Sequence, residues 1–235
     1  MKGLIIILRS IISGDPVQII ASLLAMIVIV FITLPIHEYA HGWMAYKLGD
    51  PTAKNQGRLD LNPLKHFDLV GTTMLILTGF GWAKPVPVNP FFFKDRKKGM
   101  ALTALAGPVA NILIATITLA LWKVVAIFLP DAFFITSFAT ILVYVIRLII
   151  LINLGLAVFN LLPVPPLDGS KILGFFLPDH INDLMYRNER YISYALFALI
   201  MFTNILNTPL YFLQNLLFKG IDFLTGFIDL LGRLI

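Results

Sequence analysis

Long uncharged stretches alternate with short polar segments along this chain. Three stretches have the roughly 20 mostly apolar residues that a membrane-crossing helix needs, at positions 17–46, 100–129 and 135–162. A fourth, at 191–216, meets the same requirement. The last stretch, 217–235, is interrupted by charged residues, so we expect an amphipathic or partly inserted helix there.

A different pattern lies between the first two long stretches. Residues 71–80 are mostly apolar, but they are too few to cross a bilayer as a helix. They lead into GWAKPVPVNP at 81–90, where three prolines fall within six residues. Three prolines this close together forbid both a helix and a central strand. We therefore expect an extended hairpin or a re-entrant loop.

These elements predict an all-α polytopic membrane protein. We expect a short interfacial or membrane segment at 1–16, a catalytic membrane core at 17–178 and C-terminal membrane helices at 179–235. Composition supports a lipid bilayer as the surroundings, since 58% of residues are hydrophobic and 13% are charged, whereas soluble domains average about 25% charged residues.

The distribution of charge predicts the orientation in the membrane. A net charge of +5, dispersed along apolar flanks, does not indicate nucleic-acid binding. Basic residues instead favour the cytoplasmic side of spans. They follow the first span, precede the second and separate the third from the fourth, at Lys47, Lys54, Arg58 and Lys65, at Lys94, Arg96, Lys97 and Lys98, and at Lys171, Arg187 and Arg190. We expect a multi-pass protein of a prokaryotic cell membrane.

Candidate chemistry lies near the cytoplasmic end of the first span. His37 and His41 form an H-E-x-x-H pattern with Glu38, and this spacing places both imidazoles on one helical face. Ionisable groups at membrane depth cost several kcal/mol unless they are compensated. A metal ion would compensate both histidines. Glu38, about 100° around the helix, could act as general base on a water that the metal acidifies.

A third ligand is needed, because catalytic zinc usually has three protein ligands. The chain has no cysteine, so the ligand must be His, Asp or Glu. Asp168 is favoured, because it follows the end of the third span at a similar predicted depth. The other contenders are His66, His180, Asp60, Asp68 and Asp179, of which the first four are interpreted as surface residues.

Two asparagines within apolar stretches are further candidates. Asn160 lies eight residues before Asp168, and its amide could stabilise an oxyanion. An interhelical hydrogen bond is the alternative, and the residues alone do not choose between the two. For Asn111, within AGPVAN, we favour a packing role next to Gly107.

The motifs HEYAHGWMAYKLGD, GRLDLNPLKHFDLVGT, GWAKPVPVNP, AGPVAN and NLLPVPPLDG occur in this order. Together they resemble the site-2 protease family of intramembrane zinc metalloproteases, peptidase family M50. The match extends over about residues 31–175, and the chain is similar to a minimal form without a PDZ or CBS domain.

The resemblance implies a three-helix catalytic core and a zinc metalloendopeptidase. It implies one Zn²⁺ per chain, held by His37, His41 and Asp168, with Glu38 as base and Asn160 stabilising the transition state. It also implies that the proline-rich segment binds substrate as an extended strand. The expected partner is a membrane protein with a transmembrane segment. The distribution of basic residues predicts that the active site lies towards the cytoplasmic side. The alternatives are a membrane metallohydrolase of a non-peptide substrate and a metal-binding or transport protein. The oligomeric state is not assigned.

Overall fold

The computed structural model describes residues 14–71, 73, 81 and 83–232. Helices dominate this part of the chain, and it contains no strand. Three helices in it are long and apolar enough to cross a membrane: Pro16–Lys47, Arg96–Ile127 and Ser137–Asn160. The all-α polytopic membrane fold and its three expected spans are therefore confirmed. The N-terminal segment expected at 1–16 lies almost entirely outside the described residues.

The first span consists of α1 (Pro16–Val28), a π-helical turn (Ile29–Thr33) and α2 (Leu34–Lys47). The π turn ends just before Pro35, which is fully buried. Proline has no N–H and its ring crowds the carbonyl four residues earlier. A wider turn at this point relieves that crowding, and the Leu34 N–H bonds to the Ile29 carbonyl instead.

The second span is α3 (Arg96–Ile127) and the third is α4 (Ser137–Asn160). One cluster of buried side chains joins the first span to α4, through Ala25, Ile29, Leu148 and Ile152. A second cluster joins α3 to α4 and to the C-terminal helix, through Ala115, Leu119, Ile150, Leu154 and Ile221. The spans thus form one packed three-helix core.

Three helices follow α4 along the chain: α5 (Asp168–Phe176), α6 (Asp179–Arg187) and α7 (Glu189–Phe202). The expectation of a continuous fourth span at 191–216 is wrong, because the helix stops at Phe202 and α8 (Asn207–Gly232) begins afresh. Thr203 is extended there. Asn and Thr side chains compete for backbone hydrogen bonds, and Pro209 cannot donate one.

The C-terminal helix α8 is longer than the sequence indicated and packs against α3 and α4. Its two aspartates share one partner, since Lys123 on α3 binds Asp222 at 2.8 Å and Asp229 at 2.6 Å. The Lys123 side chain is only 11% exposed. Because Lys123 pairs with the two aspartates, α8 can lie along the apolar helix bundle despite its charged side chains.

Residues 83–89 form no helix and no strand, and they run beside α2. Residues 83–89, called the extended segment below, thus agree with the expectation that the prolines exclude a helix and a central strand. Most of 71–80, and Trp82, lie outside the described residues, so the hairpin or re-entrant loop expected there stays a prediction.

Candidate metal centre

Three potential metal ligands meet between the first span and α5. His37 Nε2 lies 3.0 Å from His41 Nε2. Asp168 Oδ2 lies 3.5 Å from His37 Nε2 and 3.3 Å from His41 Nε2. A tetrahedral zinc ion with bond lengths near 2.0–2.1 Å needs ligand atoms about 3.3 Å apart. The three atoms therefore fit the corners of one zinc coordination sphere, and two nitrogens with one oxygen are a donor set that catalytic zinc uses.

Local sequence explains why these side chains converge. His37 and His41 are one helical turn apart on α2, so their rings project from one face. Asp168 is the first residue of α5, after the chain has turned back from the end of α4. Gly169 makes this turn possible, because a Cβ there would overlap the carbonyls of Leu161 and Leu162.

The environment of Asp168 favours a carboxylate anion. Burial raises the pKa of the Asp168 carboxyl, but hydrogen bonds and charge from His37 and His41 outweigh burial, so its pKa lies below the ordinary value. Lys171, one turn along α5, places Nζ 3.7 Å from Asp168 Oδ1. The two carboxylate oxygens thus have separate partners, and Oδ2 faces the histidines.

Helix α3 closes the other side of the two rings. His41 Nδ1 donates a hydrogen bond of 2.7 Å to the Thr103 carbonyl. One turn further, a Cβ on Gly107 would overlap the rings of His41 and His37. The glycine therefore permits the close approach that brings α3 against the metal ligands.

Glu38 lies between the metal ligands and the extended segment. Its Oε2 accepts a hydrogen bond of 2.9 Å from the Val86 N–H. Glu38 also lines the cavity that contains the three potential ligands. The hydrogen bond fixes where the candidate base points.

The extended segment is anchored to the loop that follows α2. The Lys84 N–H donates to the His66 carbonyl at 2.9 Å, and Arg58 Nη2 donates to the Lys84 carbonyl at 2.7 Å. Asp50 is fully buried, and its Oδ2 accepts from the Asn89 N–H at 2.7 Å. Residues of the first two motifs thus hold the proline-rich segment in place and act as its frame.

A cavity of about 670 Å³ contains the candidate site. Its polar end is lined by the three potential ligands and Glu38. Asn160, the last residue of α4, lines the same cavity, as do Val86 and Val88. The structure therefore brings all five candidate site residues of the sequence to one cavity.

The remaining contenders for a third ligand lie elsewhere. Asp179 and His180 are exposed on α6. His66 is buried, so its interpretation as a surface residue is wrong. Its Nε2 donates to the Asp60 carbonyl at 2.6 Å, which makes it part of the frame. Its polar surroundings in the sequence gave no sign of this burial.

Several residues of the site were not identified from the sequence. Thr103 contributes a backbone carbonyl, which any residue has. Gly107 was expected to allow close packing, but not against the metal ligands themselves. Asp50 was visible only as part of a longer motif. Each depends on contacts between distant segments, which a periodic pattern does not encode.

Comparisons with known proteins agree with this arrangement. The model of peptidase family M50 matches residues 124–203. The proposed zinc metalloprotease YwhC of Bacillus subtilis is 39% identical over 199 residues, which cover 84% of this chain and 87% of YwhC. The chain therefore belongs to peptidase family M50. No solved structure matches it.

More distant relatives share only part of their length with this chain. The proposed zinc metalloprotease Rip2 of Mycolicibacterium smegmatis is 31% identical over 147 residues, covering 60% of this chain and 52% of Rip2. Rip2 of Mycobacterium tuberculosis is 27% identical over 170 residues, covering 68% and 61%. The family, the names of these relatives and the three apolar helices support a membrane zinc metalloprotease.

Proposed function

We propose that this chain is an intramembrane protease of the site-2 type, which hydrolyses peptide bonds in or next to transmembrane segments of membrane proteins. We assign one Zn²⁺ per chain to His37, His41 and Asp168, at the cytoplasmic side of a prokaryotic cell membrane. The observation that carries the proposal is the convergence of three zinc-type ligand atoms, 3.0–3.5 Å apart, beside a held carboxylate and an extended segment.

When bound, zinc supplies a Lewis acid that polarises the scissile carbonyl and lowers the pKa of water. Glu38, held through Oε2 by Val86, takes a proton from the attacking water with its other oxygen. It then returns that proton to the leaving amine as the C–N bond breaks. The Asn160 side-chain amide, in the same cavity, donates a hydrogen bond to the developing oxyanion.

The extended segment supplies a backbone edge for the substrate. Val86 and Val88 line the cavity, and alternate residues of an extended chain present their N–H and C=O groups to one side. Within the described residues, no hydrogen bond uses the Val86 carbonyl or the Val88 N–H. A substrate strand that pairs there exposes its peptide bonds, which a transmembrane helix would conceal.

The test uses purified protein in proteoliposomes with a panel of single-span substrates. Glu38→Gln should lower cleavage by about 10²–10⁴-fold, the usual contribution of a general base, while zinc stays bound at about one ion per chain. Glu189→Gln is the matched control, because Glu189 is the other glutamate of the chain and lies at the start of α7. It should cleave like the wild type. Undiminished cleavage by Glu38→Gln would refute the mechanism.

The same variants separate the alternatives. A metal transporter or binding protein would leave the panel uncut and retain its metal handling in Glu38→Gln, since Glu38 is not a proposed ligand. A metallohydrolase of non-peptide substrates would leave every single-span protein uncut while hydrolysing another compound in a Glu38-dependent way. Cleavage of at least one single-span substrate supports the protease.

A further inference from the structure

The two histidines of the candidate metal centre differ in their second ring nitrogen. His41 Nδ1 is buried and bound to the Thr103 carbonyl at 2.7 Å. His37 Nδ1 is equally buried, but it has no hydrogen-bond partner among the described residues. A histidine that binds a metal through Nε2 carries its proton on Nδ1 and almost always donates it to a second group. The site therefore contains one oriented imidazole and one whose orienting group is missing.

Asn111 on α3 also lacks hydrogen-bond partners, and its amide oxygen is an acceptor that His37 Nδ1–H could use. Its side chain is fully buried, and neither the oxygen nor the nitrogen of its amide has a hydrogen-bond partner within the described residues. Leaving such a group unsatisfied costs about 1–3 kcal/mol. Asn111 lines the same cavity as His37. A donor and an acceptor without partners among the described residues thus border the same cavity.

The geometry of α3 places Asn111 on the helix face that packs against the two histidine rings. Thr103, Gly107 and Asn111 follow at intervals of four residues, so they lie on one face of the helix. A Cβ on Gly107 would lie 2.6 Å from His37 Cε1, the ring atom between Nδ1 and Nε2, so this face of α3 packs directly against the His37 ring. Helical side chains lean towards the N-terminus, so the Asn111 amide lies over the turn that contains Gly107. Along this face, the Thr103 carbonyl contacts His41 and Gly107 packs against both rings, and Asn111 follows one turn further on.

We propose that Asn111 is the positioning residue for His37. His37 Nδ1 donates to one buried water, and this water donates to Asn111 Oδ1, because the two side chains make no direct hydrogen bond. This arrangement holds the His37 proton on Nδ1 and leaves the Nε2 lone pair for zinc. Asn111 touches neither the metal nor the substrate. The proposal rests on the zinc site proposed above.

The test measures zinc affinity, not catalysis, by competition with a chelator. Asn111→Leu removes the acceptor at similar volume and should weaken zinc binding by about 10–100-fold, the usual effect of losing such a partner. Asn111→Asp keeps an oxygen acceptor and should bind zinc at least as tightly as the wild type. In the Co²⁺-loaded protein, the visible absorption bands should shift in Asn111→Leu and return in Asn111→Asp.

Asn153→Leu is the matched control. Asn153 is also a fully buried asparagine within a span, but its amide donates to the Ile149 carbonyl at 2.9 Å and to Thr33 Oγ1 at 3.3 Å. Its loss should lower the melting temperature and leave zinc affinity within twofold of the wild type.

Three results would overturn the role of Asn111. A fourth result would instead refute the zinc site on which this proposal rests. Zinc affinity and Co²⁺ bands unchanged in Asn111→Leu would refute it, as would the same zinc loss in Asn153→Leu. Weaker zinc binding in Asn111→Asp than in the wild type would also refute it, and this variant gives the result even if Asn111→Leu does not fold. A wild-type protein that binds no zinc would instead refute the metal site and the proposed function together.

Discussion

Val86 and Glu38 are joined by a hydrogen bond of 2.9 Å from the Val86 N–H to Glu38 Oε2. The contact links the candidate base on α2 to the proline-rich segment 48 residues later. Val86 is flanked by Pro85 and Pro87, which have no N–H to offer. The Val86 N–H is therefore the donor that this stretch can direct at Glu38.

Replacing that donor should impair catalysis without removing the metal. Val86→Pro deletes the N–H and frees the Glu38 carboxylate, so kcat should fall by about 10–100-fold, part of what a general base contributes. Val86→Ala keeps the N–H and should stay within a few-fold of the wild type. Steady-state kinetics and zinc content are measured for both. Equal kcat values in the two variants would show that the hydrogen bond does not position Glu38.

Asp50 should control how well substrate binds. Its carboxylate is buried and accepts hydrogen bonds from Asn89 and from Thr52, so Asp50→Asn weakens the anchor of the extended segment. A loss of about 1.4 kcal/mol corresponds to a tenfold rise in KM. Asp60→Asn, on the same loop and paired with Lys65, is the control. A fall in kcat at constant KM would assign Asp50 to another role.

Gly107 should not tolerate any side chain. In Gly107→Ala the new Cβ would overlap both histidine rings. Zinc binding and cleavage should both fall by more than about 100-fold, beyond the usual effect of losing a group that only orients a metal ligand. Gly220→Ala on α8 is the control, because a Cβ there meets nothing within 4 Å. It should gain up to about 1 kcal/mol from helix propensity. Stoichiometric zinc in Gly107→Ala would contradict the close packing of α3 on the rings.

Lys123 should hold α8 against the bundle. Lys123→Met leaves Asp222 and Asp229 without their cation, which should cost about 2 kcal/mol and lower the melting temperature by about 5 °C. Asp222→Asn or Asp229→Asn alone should cost less, because the second carboxylate still pairs. Removing all three charges together should restore most of the loss. Thermal unfolding in detergent measures each variant, and an unchanged melting temperature in Lys123→Met would exclude the role.

The sequence predicts the parts of this fold that the bilayer dictates. A span needs a long apolar helix with internal hydrogen bonds, so the three core helices follow from hydropathy alone. The depth of Asp168 relative to His37 and His41 follows from the order of the spans. The order of the spans therefore predicts that the side chains of His37, His41 and Asp168 can meet. In the structure their ligand atoms do lie together.

Other features depend on tertiary contacts that no local pattern encodes. The break at Thr203 is decided by side chains that compete for backbone hydrogen bonds. The charges of α8 suggested partial insertion because Lys123, about a hundred residues earlier, is not visible as their partner. The sequence favoured a packing role for Asn111. Only the folded structure shows that its amide is buried without a hydrogen-bond partner among the described residues.

The position of the cut bond tests the central claim most directly. Single-span substrates are incubated with the protein in proteoliposomes, and both product termini are identified by mass spectrometry. The account predicts cleavage within or immediately beside the apolar segment, near its cytoplasmic end, with zinc-dependent products that are absent in Glu38→Gln. Products that arise only from soluble loops far from the membrane, or that persist in Glu38→Gln, would contradict it.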